Sequence, residues 1–595
     1  MIVNVLKLFS SKEKMIFFYL VFLGFLSSIL EVVGLGSLLP LLSAAINLNE
    51  VLKFKTVNYL YNFFGKPTSD LFIVYLSICV LVLFIVKSIV IVFYNNQVAS
   101  FIWKKNVNLS ISIFEKYLKN DINFHLTNNS AILIRNINNQ ISSFILYFLT
   151  PLMNLISACL LAIFLIGSLI LYNFVLTMVI IIIIIGSITL FYLIVKNKIS
   201  LYSKKNNDHS ASLNLELSHG FGSIKESKIL KIEQYFIDRF TFHTIENSIA
   251  HKKLFQINQL PKVFIEFILI LSILFLINFF DVFNINKSEL IFSLSLFSIV
   301  SIRLLPLFNI IISSINSIRF SSESIKIILN ALLDGIKINM LNKLTNSDSL
   351  KDVKFGQTLE LINVSFAYPL SSKNTLNNVD FLINKGESIG IVGSSGSGKS
   401  TLVDVILGVQ DPNNGYIKID GVDTVLSNSN WSNNIGYVPQ TIFLSDASIA
   451  ENIAFGINID KIDFHRLSEV VKLSALDSFI NNLPQGINTL VGENGSRISG
   501  GQRQRIGIAR ALYRDPSILI FDEATSALDN NTEKKIMKTI YELTKIKTLI
   551  IIAHRLSTIR FCDTIYMLRD GEVVSKGNYE ELLNSNQEFN SMNIK

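Results

Sequence analysis

The chain has 595 residues, of which 50% are hydrophobic and only 16% charged. Soluble domains carry about 25% charged residues, so much of this chain must meet lipid. Disorder, collagen-like structure and a disulfide scaffold are excluded, the last because only 3 Cys are present. The net charge of +8 fits basic loops beside an anionic inner leaflet, so no nucleic-acid partner is expected.

In chain order, six apolar runs are long enough to span a bilayer as helices: about 16–42, 71–94, 141–171, 174–195, 263–280 and 290–315. The first is too long for a signal-peptide core and contains Glu31, so it is read as a span. Lys and Arg crowd the N-terminus and the loops at 96–140 and 197–262, while the opposite side has only Lys53, Lys55, Lys66 and Lys287. By the positive-inside rule, the N-terminus, the two long loops and the C-terminal region are cytoplasmic. These loops keep a helical period, as in Ile224-x-x-x-Lys228-Ile-Leu-x-Ile232, so the membrane helices are expected to continue well into the cytoplasm. The domain reading is a transmembrane domain over 1–330, a linker over 331–354 and a soluble α/β domain over 355–595.

The soluble part carries recognisable chemistry. The apolar strand Ile389–Val392 leads into Gly393, Ser394, Ser395, Gly396, Ser397, Gly398, Lys399, Ser400 and Thr401, followed by a helix start at Leu402. This is a P-loop in its strand–loop–helix context. Its glycines turn backbone N–H groups toward phosphate oxygens, Lys399 neutralises the β and γ phosphates, and Ser400 is a Mg²⁺ ligand. A second strand, Ile518–Phe521, ends in Asp522 and Glu523. That pair suits a Mg²⁺-holding Asp followed by a Glu that polarises the attacking water.

Further motifs resemble those of ATP-binding cassette (ABC) proteins. Ser499-Gly500-Gly501-Gln502 is similar to the signature motif, Tyr437-Val-Pro-Gln440 to the Q-loop, Ser526-Ala-Leu-Asp529 to the D-loop, and His554 to the switch histidine. Tyr368 sits where that family stacks an aromatic ring on adenine. The resemblance covers 359–583 by motif and the whole chain by architecture. The implied fold is a type IV exporter: a membrane α-helical bundle of six transmembrane helices with long cytoplasmic extensions, fused to an α/β P-loop ABC ATPase domain. The implied cofactors are ATP and Mg²⁺. Gln440, Glu523 and His554 are the implied catalytic residues, with Ser400, Gln440 and Asp522 on the metal and Asp529 at the nucleotide. One departure is Ile498, where the signature usually begins with Leu; the volume is conserved and little effect is expected.

In this family the signature of one subunit faces the P-loop of another, so one cassette with six spans is half a transporter. The resemblance therefore implies a dimer, and intact Glu523 and His554 favour a homodimer. They also argue for steady hydrolysis rather than ATP-gated channel activity. The segment Ser27–Leu42, the run Ile302-Arg303-Leu-Leu-Pro306, and an external amphipathic helix over 47–64 resemble flippases for lipid-linked oligosaccharides. The implied function is export of such a glycolipid across a bacterial inner membrane. The alternative is export of a lipid A-like lipid, a peptide or a drug. Intramembrane charges are expensive and face a cavity or a partner. Arg303 and Glu31 are the candidate substrate residues: either Arg303 meets a carrier pyrophosphate, or it pairs with Glu31 or Glu266. Lys87 and Glu266 lie nearer the inner ends of their spans and are expected to snorkel or to make contacts there.

Overall fold

The computed structural model describes residues 9–46, 52, 55–172, 174–279, 287–332, 353–369, 371, 373–524, 530–543, 546–553 and 555–593. It divides into two compact units, one of Met1–Asn120 with His125–Leu344 and the other of Asp121–Phe124 with Thr345–Lys595. Most of the expected linker lies outside the described residues.

The first unit is helical: α1 (Ser11–Ile46), α2 (Lys55–Phe63), α3 (Ser69–Lys119), α4 (Thr150–Tyr172), α5 (Phe174–Gly222), α6 (Glu233–Phe279) and α7 (Lys287–Phe320), with shorter helices between them. A capping box opens α1: Ser10 N–H donates to Glu13 Oε2 (2.8 Å), and Glu13 N–H donates to Ser10 Oγ (3.2 Å). The same Glu13 oxygen accepts from Lys105 on α3 at 2.8 Å. The predicted third span lies on a helix that is continuous from Ser130 to Ile170. Its turn Ile145–Leu149 widens to a π-helix just ahead of Pro151, which has no N–H to give to the Tyr147 carbonyl.

All six predicted spans fall on helices, although Phe280 lies outside the described residues. Among the described residues, Ser11–Leu38, Ser69–Lys119 and Ser130–Ile170 are long and apolar enough to cross a bilayer. Arg303–Phe320 and Ser322–Leu332 form a further apolar pair bent by 49°. Helices α3, α5 and α6 run for 51, 49 and 47 residues. At about 1.5 Å per residue, each far exceeds a hydrocarbon core of roughly 30 Å.

Packing follows small and branched side chains. Ala158, Leu161, Ala162, Leu165 and Leu169 on α4 bury Leu304, Leu307, Phe308 and Ile312 of α7. Val195 and Ile199 on α5 close on Leu254 and Ile257 of α6 and on Phe320. The expected external helix is present as α2, pinned by Val57 against Ala44, Phe72 and Leu76 while Tyr59 and Phe63 stay exposed. The first part of that predicted segment, apart from Leu52, lies outside the described residues.

The second unit is a two-sheet α/β domain. An antiparallel sheet has the order β2 (Leu376–Asn384), β1 (Thr358–Phe366), β4 (Asn414–Ile419), β5 (Val422–Asp423). The main sheet has the order β10 (Glu572–Gly577), β9 (Thr564–Arg569), β3 (Ser388–Gly393), β8 (Thr548–Ile552), β7 (Ile518–Asp522), β6 (Ile435–Val438). In the main sheet only β10 is antiparallel to its neighbour. β3, β7 and β8 are buried along their whole length, as parallel strands covered on both faces must be. Residues Asp121–Phe124 join this unit through a reciprocal amide pair between Asn123 and Gln410, at 3.0 and 2.9 Å.

Between the sheets lies one apolar core that includes Phe355, Leu402, Ile406 and Trp431. Trp431 is fully buried and its Nε1–H donates to the Ile406 carbonyl at the end of the P-loop helix, at 2.8 Å. Trp431→Phe keeps an aromatic ring but orphans that carbonyl, which costs about 1–3 kcal/mol. The melting temperature of the ATP-free protein should fall accordingly, and an unchanged value would show that the bond carries no net stability.

Candidate functional site

The end of β3 makes the phosphate cradle. Gly393 has φ +154°, and a Cβ there would stand 2.2 Å from the Leu568 carbonyl and 2.6 Å from Ser397 Oγ, so only glycine fits. Gly398, at φ +99°, caps α8 (Lys399–Ile406), and a Cβ on it would press to 2.9 Å on the Thr375 carbonyl. Between them the loop wraps over Lys399, whose Nζ donates to the carbonyls of Gly393 (2.8 Å) and Ser394 (2.9 Å). Burial pushes the Lys399 ammonium below its ordinary range, while the charges of Glu523 and Asp522 pull it back up.

β7 pairs with β8, and β8 with β3, all in parallel, so Asp522 and Glu523 end on the same sheet edge as the P-loop. Asp522 is buried and accepts from the Tyr437 hydroxyl at 3.3 Å. Glu523 sits on a left-handed backbone, φ +50°, and its N–H reaches the Ile552 carbonyl at 3.1 Å. A non-glycine residue in that region is strained, and such strain clusters at functional sites. Gln440 Nε2–H donates to Glu523 Oε2 at 2.9 Å, so the Q-loop and the carboxylate expected to polarise water are in direct contact.

Two participants were absent from the sequence assignment. Asp404, on α8, is raised above the usual carboxylate range by burial and by the charge of Asp522. Tyr437, predicted only as part of the Q-loop motif, is shifted upward by burial, then by Asp522 and Asp404. Apolar neighbours in sequence hid both, although an Asp one turn into a P-loop helix is a signal that could have been weighed. Tyr368 bonds through its hydroxyl to Thr401 Oγ1 (3.2 Å), with its ring edge-on to Phe366 at 5.1 Å. His554, Asp529 and the rest of the D-loop lie outside the described residues.

The signature follows the expected helix logic. Ser499 caps α9 (Gly500–Tyr513) in a capping box with Gln502, at 2.8 and 3.2 Å. Ser499 and Gly500 are exposed at that N-terminus, while Ile498 packs partly buried on the core behind them.

The residues present fit a Mg²⁺–nucleotide pair. Ser397 Oγ is buried without a hydrogen-bond partner inside the loop. The acidic pair Asp522 and Glu523 puts carboxylates near Lys399, the oxygen ligands that hard cations prefer. Ser400, Gln440 and Asp522 are the residues that would hold the metal.

The helical unit has its own charge cluster. Glu31 Oε1 lies 3.5 Å from Lys87 Nζ and 3.4 Å from Arg303 Nη1. The Lys87 side chain is only 7% exposed, whereas that of Arg303 is 47% exposed. Of the two outcomes expected for Lys87, the structure shows contact rather than snorkelling: its stem lies against Gly34 (3.6 Å from the Cβ position), and its ammonium stays inside on Glu31. A lysine buried between helices needs a counter-charge, and Glu31 on the neighbouring α1 supplies it. Of the two partners considered for Arg303, the structure shows Glu31.

Residues 376–526 match the family model described as ABC transporter. Over the whole chain the fold is that of a solved bacterial Atm1-family ABC exporter with ATP bound, with a TM-score of 0.72 at 23% identity, covering 94% of this chain and 96% of that one. The fold is therefore the one that this exporter has: an N-terminal helical domain followed by a C-terminal α/β domain that carries the match to the ABC transporter model. Among curated proteins, the chain is 47% identical over 259 residues to the leukotoxin translocation ATP-binding protein of Pasteurella haemolytica-like sp. (strain 5943B). It is 48% identical over 260 residues to the protein of that name from Mannheimia glucosida. Each alignment covers 42% of this chain, and the chain spans 36% of the length of these curated relatives.

Glu523→Gln removes the base but keeps the size and the Gln440 contact. ATP hydrolysis should fall at least ~100-fold, the scale of a lost general base, with ATP binding retained. Near-wild-type phosphate release by that variant would remove Glu523 from its role.

Proposed function

We propose that the chain is an ATP-driven exporter that works as a homodimer in a bacterial inner membrane, with its ATPase domain in the cytoplasm. The observation that carries this reading is the strained, Gln440-held Glu523 at the same sheet edge as the P-loop lysine. Bound Mg²⁺ would neutralise charge on the β and γ phosphates. The P-loop amides and Lys399 hold the phosphates, Asp522 stands at the strand end where it would hold the metal, and Glu523 accepts the proton of the attacking water. Ser499 and the first amides of α9 are exposed, as they must be if they complete the site of a second copy.

For the substrate we favour a lipid-linked oligosaccharide or related glycolipid, moved from the inner leaflet. Two features support it. Arg303 is half exposed beside Glu31 within the predicted spans, where a cation is costly unless it has an anion to meet. The aromatic side chains Tyr59 and Phe63 on α2 lie open on an amphipathic helix suited to a bilayer surface. The names of the leukotoxin relatives favour a polypeptide cargo instead, on an alignment covering 42% of the chain.

The charge pair separates a substrate role from a structural one. If Arg303 contacts a carrier pyrophosphate, Arg303→Ala should lower flipping and substrate-stimulated ATPase in proteoliposomes while the fold survives. Arg303→Lys should restore only part, because the fork geometry is lost. If the pair only braces the bundle, Arg303→Ala loosens the tie between α1 and α7, while Lys87 still answers the Glu31 carboxylate. Thermal stability then falls too, and it falls further in Glu31→Gln/Arg303→Gln, which also strips the buried Lys87 of its counter-charge. A stable, fully flipping Arg303→Ala rules out both roles, and ATP-driven uptake of a polypeptide but not of glycolipid favours the relatives' cargo.

A further inference from the structure

The ion cluster in the helical unit is built unevenly. Two cations share a single carboxylate oxygen, Glu31 Oε1, at 3.5 and 3.4 Å. Both distances exceed the roughly 2.7–2.9 Å of a direct charge-assisted hydrogen bond, so neither contact is tight. With Lys87, Arg303 and Glu31 ionised, one positive charge is left over. Among the described residues, Glu31 is the only carboxylate that pairs with either cation. Since both cations reach the same atom, they are close enough for one phosphate or pyrophosphate group to touch both.

From this geometry we infer that Glu31 is a tethered competitor for the Lys87–Arg303 cation pair, and that an entering anion must displace it. The inference rests on the reading of Arg303 as a contact for an anionic lipid. Its consequence is selectivity by charge number. The bulk of a bilayer offers phosphodiester head groups, each with one negative charge and in large excess over any rare substrate. Without Glu31 the two cations would be occupied by those lipids. With Glu31 in place, a single-charged head group exchanges one anion for another and gains little. A pyrophosphate or phosphomonoester brings two or more charges and more acceptor oxygens, so it gains where the phosphodiester does not. Discrimination here comes from a penalty on the common lipid, which is how specificity against an abundant competitor is achieved. Lys87 shares in the site because its ammonium lies on the same oxygen as that of Arg303, and its burial keeps it in place.

The test uses the full-length protein in nanodiscs of zwitterionic lipid, titrated with undecaprenyl pyrophosphate and, separately, with phosphatidylglycerol. Inorganic pyrophosphate is a third probe that separates head-group recognition from recognition of the lipid chain. In wild type, undecaprenyl pyrophosphate should bind at least ~10-fold more tightly than phosphatidylglycerol. Glu31→Gln should compress that ratio several-fold, mainly because phosphatidylglycerol binds better. Glu31→Asp, which keeps the charge but withdraws it by one methylene, should fall between the two. It supplies the answer if the Gln variant does not fold. An unchanged ratio in the folded variants, or equal weakening of both lipids, overturns the role of Glu31. Failure of the underlying reading looks different: wild type binds neither pyrophosphate probe, or Arg303→Ala binds both lipids as wild type does.

Discussion

The ATPase half depends on the parallel alignment of β3, β8 and β7. A P-loop and an acidic strand end are useful only if they arrive at one edge with their charges facing the same space. The sheet order guarantees this, because β8 lies between β3 and β7 and all three run the same way. Burial then sharpens the electrostatics. Lys399 loses solvation, Asp404 resists ionisation, and Asp522 and Glu523 pull the lysine partly back toward its charged form. The fold thus gathers opposing charges at one edge, where a polyphosphate with its metal would fit. The left-handed Glu523 belongs to the same picture: its unfavourable backbone is held by the Ile552 carbonyl and aims the carboxylate at Gln440.

The helical half obeys a different constraint. Within a bilayer the question for each charge is who answers it. Glu31 answers two cations from two other helices, so α1, α3 and α7 are tied together through one side chain. Apolar packing does the rest, with alanines of α4 letting α7 approach closely. Glu31 thereby braces three helices, and the anion exchange proposed above would take place on the exposed side of Arg303.

Much of this was legible in the residues. Local chemistry marked the P-loop, the acidic strand end and the signature cap, because each needs particular residues at fixed spacing. The apolar runs were legible, and so was the continuation of the helices beyond them, as α3, α5 and α6 show; the residues at which those helices stop were not. Their polar halves, such as Lys104–Lys119, lack the turn residues that would mark an end, and only packing shows how far they continue. The fate of Lys87 was hidden for another reason. Its counter-ion lies on a different helix, and the space for its stem is made by the absent side chain of Gly34. Tyr437 and Asp404 were missed because their role comes from the charge of Asp522 reaching them across the sheet.

The central claim is that the P-loop of one copy is completed by the signature of another. The most direct measurement is ATP binding and phosphate release by the full chain in nanodiscs, made side by side on wild type, Lys399→Ala and Ser499→Arg. The account requires Lys399→Ala to lose both. Ser499→Arg should bind ATP as wild type does and release almost no phosphate, because bulk and charge then stand against the γ-phosphate of the opposite copy. Phosphate release by Ser499→Arg at the wild-type rate would contradict it.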